Sequence, residues 1–201
     1  MMKHLPIALI LFRLALAPTM IIVAQQHLHN ASVYIVVMLF AGLLSDIFDG
    51  IVARNVGVST TKLRRMDSQT DMLFWLSAGI ASWLIWPETI RQHRMAIFAL
   101  LGMEVACYAV SLIKFRRETC THAYLSKLWG LTLLAAFTDL VLYGHAETCF
   151  YICLATGVIS HLDRILITLL LPEWTHDIPS AYHAWRIRKG LKIKRFGLFN
   201  G

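Results

Sequence analysis

Six apolar runs, each close to the length that crosses a bilayer, leave this chain very few ways to fold. A helix needs roughly 20 apolar residues to span membrane hydrocarbon. The runs fall at 5–25, 31–53, 67–86, 95–115, 127–143 and 148–171. In lipid, every backbone N–H and C=O must be satisfied within the protein, so only helices or a closed barrel remain. These runs are continuous, whereas barrel strands alternate. The expectation is an all-α, polytopic membrane protein with six transmembrane helices. Charge content argues against a soluble domain, because 15% of the residues are charged where soluble proteins average roughly 25%.

The connections between runs are short, so residues 1–172 read as one transmembrane domain. Residues 173–201 differ in kind. Asp177, Pro179 and Ser180 are helix-start residues. After them, 181–196 mixes Tyr182, Trp185 and Ile187 with Arg186, Arg188, Lys189, Lys192, Lys194 and Arg195. That mixture predicts a basic helix lying in the membrane interface. The first run lacks a small-residue cleavage pattern and reads as a retained span. No Cys-x-x-Cys pair occurs, and Cys149 and Cys153 share one helical face, which suits buried free thiols.

The net charge of +7 follows the loops. With the N-terminus inside, the cytosolic segments hold Lys3, then Arg54, Lys62, Arg64 and Arg65, then Lys114, Arg116, Arg117 and Lys127, and finally the tail. The opposite side holds Arg91 and Arg94. The positive-inside rule therefore places both termini in the cytosol. A basic balance of this kind serves anionic lipid and needs no nucleic acid.

Acids inside the membrane carry the chemistry. Asp46 and Asp49 end the second run, and Asp67 and Asp71 begin the third. Spacings of three and four residues put each pair on one helical face. Asp46 lies about 12 Å of helix before Arg54. Each buried carboxylate costs about 2.5–3.5 kcal/mol on insertion scales, and four together repel one another. Pairing with Arg54, Arg64 or Arg65 accounts for one or two of them. A hard divalent cation with oxygen ligands accounts for all four. Gly50 and Ala53 leave space beside them, for a nucleotide or for close helix packing.

The run Asp46-x2-Asp49-Gly50-x2-Ala53-Arg54, followed after twelve residues by Asp67-x3-Asp71, resembles the signature of the CDP-alcohol phosphotransferases, D-x2-D-G-x2-A-R-x8-G-x3-D-x3-D. Every specified position matches except the middle glycine, where Leu63 stands. A branched side chain there is expected to narrow the nucleotide site. The six-run plan and inside orientation extend the resemblance to nearly the whole chain, and Arg13 and Pro18 resemble the family's opening helix. The tail, with Asp177-Ile178-Pro179-Ser180 before His183-Ala184, resembles a poorly characterised branch.

The resemblance implies a membrane enzyme of bacterial phospholipid biosynthesis, with its active site on the cytosolic side of the inner membrane and the chain forming a homodimer. It would transfer a phosphate-linked, phosphatidyl-type group from a CDP-alcohol to a small alcohol and release CMP. Asp46, Asp49, Asp67 and Asp71 would hold two ions of Mg²⁺ or Mn²⁺. Asp71 would serve as general base, and Asp46, Gly50, Ala53 and Arg54 would meet the CDP donor. Arg117, Lys127 and Arg164 would form an anion pocket for an acidic or phosphorylated acceptor.

Other readings stay open. Asp163 and Arg164 can be an internally compensated pair. Glu104 and Asp139, in mid-run, can hydrogen-bond between helices. The four acids would also suit a divalent-cation transporter, for which Glu104 and Asp139 make a poor onward path. Leu63 leaves room for a catalytically silent relative.

Overall fold

The computed structural model describes residues 4–26, 28–57, 60–118 and 123–191, with the Arg54 side chain outside that description. All of the regular structure in it is helical: α1 (Leu5–Gln25), α2 (Ala31–Asn55), α3 (Thr61–Ile85), α4 (Pro87–Gln92), α5 (Arg94–Phe115), α6 (Tyr124–Tyr143), α7 (Thr148–Leu170) and α8 (Ala181–Arg188). Helices α1, α2, α5, α6 and α7 are long and apolar enough to cross a membrane. Their outward side chains include Val37, Val105 and Ile113, all exposed, as lipid-facing residues must be. The protein is thus an all-α, polytopic membrane protein, with five such helices among the described residues.

Helix α3 is as long as α2, at 25 residues, but its first three turns carry Lys62, Arg64, Arg65, Asp67 and Asp71. It starts six residues ahead of the apolar run at 67–86. Thr60 caps it, its hydroxyl accepting from the Leu63 N–H at 3.2 Å, and lysine and arginine are good helix formers without being apolar. The six-residue α4 was not legible as an apolar run. Pro87 opens it, and an exposed Glu88–Arg91 pair at 2.6 Å braces it.

The chain divides into two compact units, and α6 contributes to both. The first comprises 1–93 and 133–150. Its core joins Met20 and Ala24 of α1, Ile35 and Leu39 of α2, Phe74, Ala78 and Ala81 of α3, and Leu134 and Val141 of α6. Gly42 makes the close approach of α2 to α3 possible. A Cβ there would lie 2.2 Å from the Phe74 ring, one turn beyond Asp71. Trp86 Nε1 donates to the Val141 carbonyl at 3.2 Å, and Trp75 stacks on Phe137.

The second unit comprises 94–132 and 151–201. Ala123, Ile167, Leu171, Ile178 and Ala184 form its core. Lys114 Nζ donates to the carbonyls of Thr168, Leu169 and Leu171 at 3.1, 2.7 and 2.8 Å, placing a cation where α7 ends. Asp163 Oδ1 accepts from the Ala181 N–H at 2.9 Å and so caps α8. This corrects the Asp163–Arg164 pairing: adjacent helical residues point about 100° apart, and the cap engages Asp163 instead. Cys107, Cys149 and Cys153 are free thiols. Lys3, Cys120, His122, Lys192, Lys194 and Arg195 lie outside the described residues.

Candidate active site

Helices α1, α2 and α3 pack together in the first unit and bring five charged side chains to one place. The buried Arg13 guanidinium, 1% exposed, touches all four signature acids. Nη1 donates to Asp46 Oδ1 and, at 2.5 Å, to Asp71 Oδ1. Nη2 donates to Asp49 Oδ2 at 2.8 Å and to Asp67 Oδ1 at 2.5 Å. The acids differ in access. The Asp49 and Asp67 side chains are 4% and 6% exposed, while those of Asp46 and Asp71 are 34% and 32% exposed. Two carboxylates are therefore walled in, and two can meet a ligand.

From the sequence, Arg13 shows only a resemblance to the family's opening helix and has no place in the site. A signal was available. An arginine in the middle of a long apolar helix is costly unless it has a partner, and the acids on α2 and α3 supply four. The Arg13 guanidinium by itself brings one positive charge to four carboxylates. Carboxylate oxygens of Asp46, Asp49 and Asp67 lie within 4.8 Å of one another. That is the spread of oxygens on opposite sides of a hard cation bound at about 2.0–2.6 Å. The donor set is all oxygen, as such ions prefer, so the residues fit a divalent metal.

Gly50 is buried next to Asp49. Ala53, 3% exposed, packs with Ile10 and Leu63. Leu63 is thus a small core between α1, α2 and α3, and its branched side chain fills the room beside Ala53. Leu63→Gly is expected to lower stability by about 2–5 kcal/mol, as deletion of a buried leucine side chain does. Thermal unfolding in detergent checks this. Tighter donor binding at unchanged stability would show instead that the side chain obstructs a nucleotide site.

Arg117, Lys127 and Arg164 belong to the second unit. Arg117 is exposed, its guanidinium 5.3 Å from the centre of the Trp174 ring. Lys127 is exposed in the first turn of α6. Arg164 on α7 forms a two-point pair with Glu104 of α5, Nη1 to Oε2 at 2.5 Å and Nη2 to Oε1 at 3.0 Å. Glu104 therefore bridges helices, as its mid-run position suggested.

The model of the CDP-alcohol phosphatidyltransferase family matches residues 3–170. The chain belongs to this family. A CDP-diacylglycerol--glycerol-3-phosphate 3-phosphatidyltransferase from Wigglesworthia glossinidia brevipalpis is 29% identical to it over 201 aligned positions. That match covers 92% of this chain and 97% of the relative. No solved structure matches the chain. As a CDP-alcohol phosphatidyltransferase, the protein is an integral membrane enzyme that transfers a phosphatidyl group from a CDP-alcohol to an alcohol acceptor in phospholipid synthesis. The family is generally dependent on divalent metal, and the Asp46, Asp49 and Asp67 cluster can bind one.

Proposed function

We propose that the enzyme joins the phosphatidyl group of CDP-diacylglycerol to the hydroxyl of a small phosphorylated alcohol and releases CMP. The observation that carries this is the convergence of four signature carboxylates on one point, two of them accessible. The relative named for glycerol 3-phosphate supports a phosphorylated acceptor.

Asp46, Asp49, Asp67 and Asp71 would hold two ions of Mg²⁺ or Mn²⁺. Metal bound there would neutralise the acids and supply charge stabilisation to the donor pyrophosphate and the departing CMP. Asp71, at the accessible side, accepts the proton of the acceptor hydroxyl. The hydroxyl oxygen then bonds to the phosphatidyl phosphorus, and the bond from phosphorus to the CMP oxygen breaks. Asp46, Gly50 and Arg54 are assigned to the donor nucleotide on the signature they complete, and Ala53, packed against Ile10 and Leu63, serves the close helix approach behind them. Arg13 keeps Asp49 and Asp67 turned inward. Arg117, Lys127 and Arg164 take the anionic group of the acceptor.

Helix α3 supplies the sixth span, its charged first turns lying at the boundary where a lipid-borne donor sits. Residues 1–172 act as the catalytic domain. Residues 173–201 form a basic interfacial tail, in which exposed Tyr182 and Trp185 suit the headgroup layer. The distribution of basic residues supports an active site and termini on the cytosolic side of a bacterial inner membrane, and the working form is a homodimer.

Purified enzyme incubated with CDP-diacylglycerol tests this by the CMP it releases. CMP is expected when glycerol 3-phosphate is added and not when it is omitted. Release with an uncharged polyol but not with glycerol 3-phosphate would contradict the acceptor class.

A further inference from the structure

Helices α5 and α7 enclose a buried ionic chain in the second unit. Arg164 pairs with both Glu104 oxygens, and His161 Nε2 lies 2.8 Å from Glu104 Oε2. His161, 0% exposed, directs Nδ1 at the Gly157 carbonyl, 2.6 Å away. A carbonyl only accepts, so Nδ1 carries a proton. Glu104, gripped at both oxygens by a guanidinium, has the His161 ring as its second partner on α7. His161, Glu104 and Arg164 thus form one connected trio.

The local sequence is arranged for this contact. His161 and Arg164 are three apart on α7 and share a face. Gly157, one turn earlier, lacks a Cβ that would lie 2.7 Å from Trp129 Nε1 and 2.9 Å from Leu100. The Trp129 ring can therefore close edge-on over His161, with centroids 4.7 Å apart. Cys107, one turn from Glu104 on α5, donates to the His161 carbonyl at 3.6 Å.

Glu104 engages two of the five guanidinium N–H groups and leaves three for oxygens. Arg164 is 11% exposed and so reachable, whereas His161 is sealed. We propose that Glu104 and His161 are positioning residues: through the chain His161–Glu104–Arg164 they fix the Arg164 guanidinium to receive the phosphate of the acceptor. This rests on the reading of Arg164 as an acceptor contact.

Steady-state CMP release by full-length enzyme in detergent tests it, with glycerol 3-phosphate and CDP-diacylglycerol varied in turn. Arg164→Ala is expected to raise the acceptor KM by about 10- to 100-fold, the loss of one or two charge-assisted hydrogen bonds. Glu104→Gln and His161→Gln should raise it about tenfold, with the donor KM and kcat within about twofold of wild type. Glu104→Asp, which keeps the charge but withdraws it by a methylene, should fall between wild type and Glu104→Gln. It also stands in for Glu104→Gln if that protein fails to fold. An acceptor KM raised in Arg164→Ala but unmoved in the Glu104 and His161 variants overturns the positioning role and leaves the acceptor reading standing. An acceptor KM unmoved in Arg164→Ala itself overturns both. A fall in kcat with all KM values unchanged would mark the trio as merely structural.

Discussion

Asp67→Asn is expected to release CMP at least about a hundredfold more slowly than wild type, and Asp71→Asn by a similar factor, while both proteins keep their helices. The two losses have different origins. Asp67 is walled in, and its oxygens lie within 4.8 Å of those of Asp46 and Asp49. Asparagine there preserves the shape but removes a negative ligand from a site that works by neutralising charge. Asp71 is accessible, and an amide in its place cannot accept the proton of the acceptor hydroxyl, a function worth about 10²–10⁴ in rate. Raising the divalent-ion concentration should recover part of the activity of Asp67→Asn and none of that of Asp71→Asn. Full turnover in either variant would remove the four acids from the mechanism. Circular dichroism and elution volume in detergent confirm that the helices persist.

Arg13→Ala is expected to destabilise the first unit by about 3–5 kcal/mol in chelator, the usual cost of breaking a buried ion pair and leaving its partner charged. The lower part of that range applies, since Asp46 and Asp71 are each about a third exposed and water screens them. Asp49 and Asp67 have no such relief. Without the guanidinium, two enclosed carboxylates face each other across a few ångströms, while the Arg13 position carries only a methyl group. Divalent ions should then narrow the deficit, because they supply the missing positive charge at the same place. Thermal unfolding in detergent, with and without Mg²⁺, measures both effects. A variant as stable as wild type in chelator would mean that Arg13 contributes no net stability to the cluster.

The apolar runs were legible because lipid imposes length and continuity on any helix that crosses it. The first run, 5–25, coincides with α1, and the ends of α5, α6 and α7 fall within three residues of their runs. Helix α3 was read six residues short, because hydropathy registers only the apolar part of a helix that Thr60 starts and Lys62, Arg64 and Arg65 continue. The acid pairs were legible from their spacing. Their common partner was not: Arg13 is 33 residues from Asp46 and 58 from Asp71, and no local period encodes that meeting. The same holds for Arg164, 60 residues from Glu104. From sequence, its nearest acid was Asp163, which caps α8. Leu63 stood out as a departure from a signature, and only packing shows that it fills space against Ile10 and Ala53.

The most direct test of the metal-dependent transfer is CMP release by wild-type enzyme stripped with chelator, then titrated with Mg²⁺ or Mn²⁺ in the presence of CDP-diacylglycerol and glycerol 3-phosphate. The account predicts no release above background in chelator and a saturable return of activity on titration, with the midpoint moved to higher ion concentration in Asp67→Asn. Full CMP release in chelator, or a titration curve identical in wild type and Asp67→Asn, would contradict it.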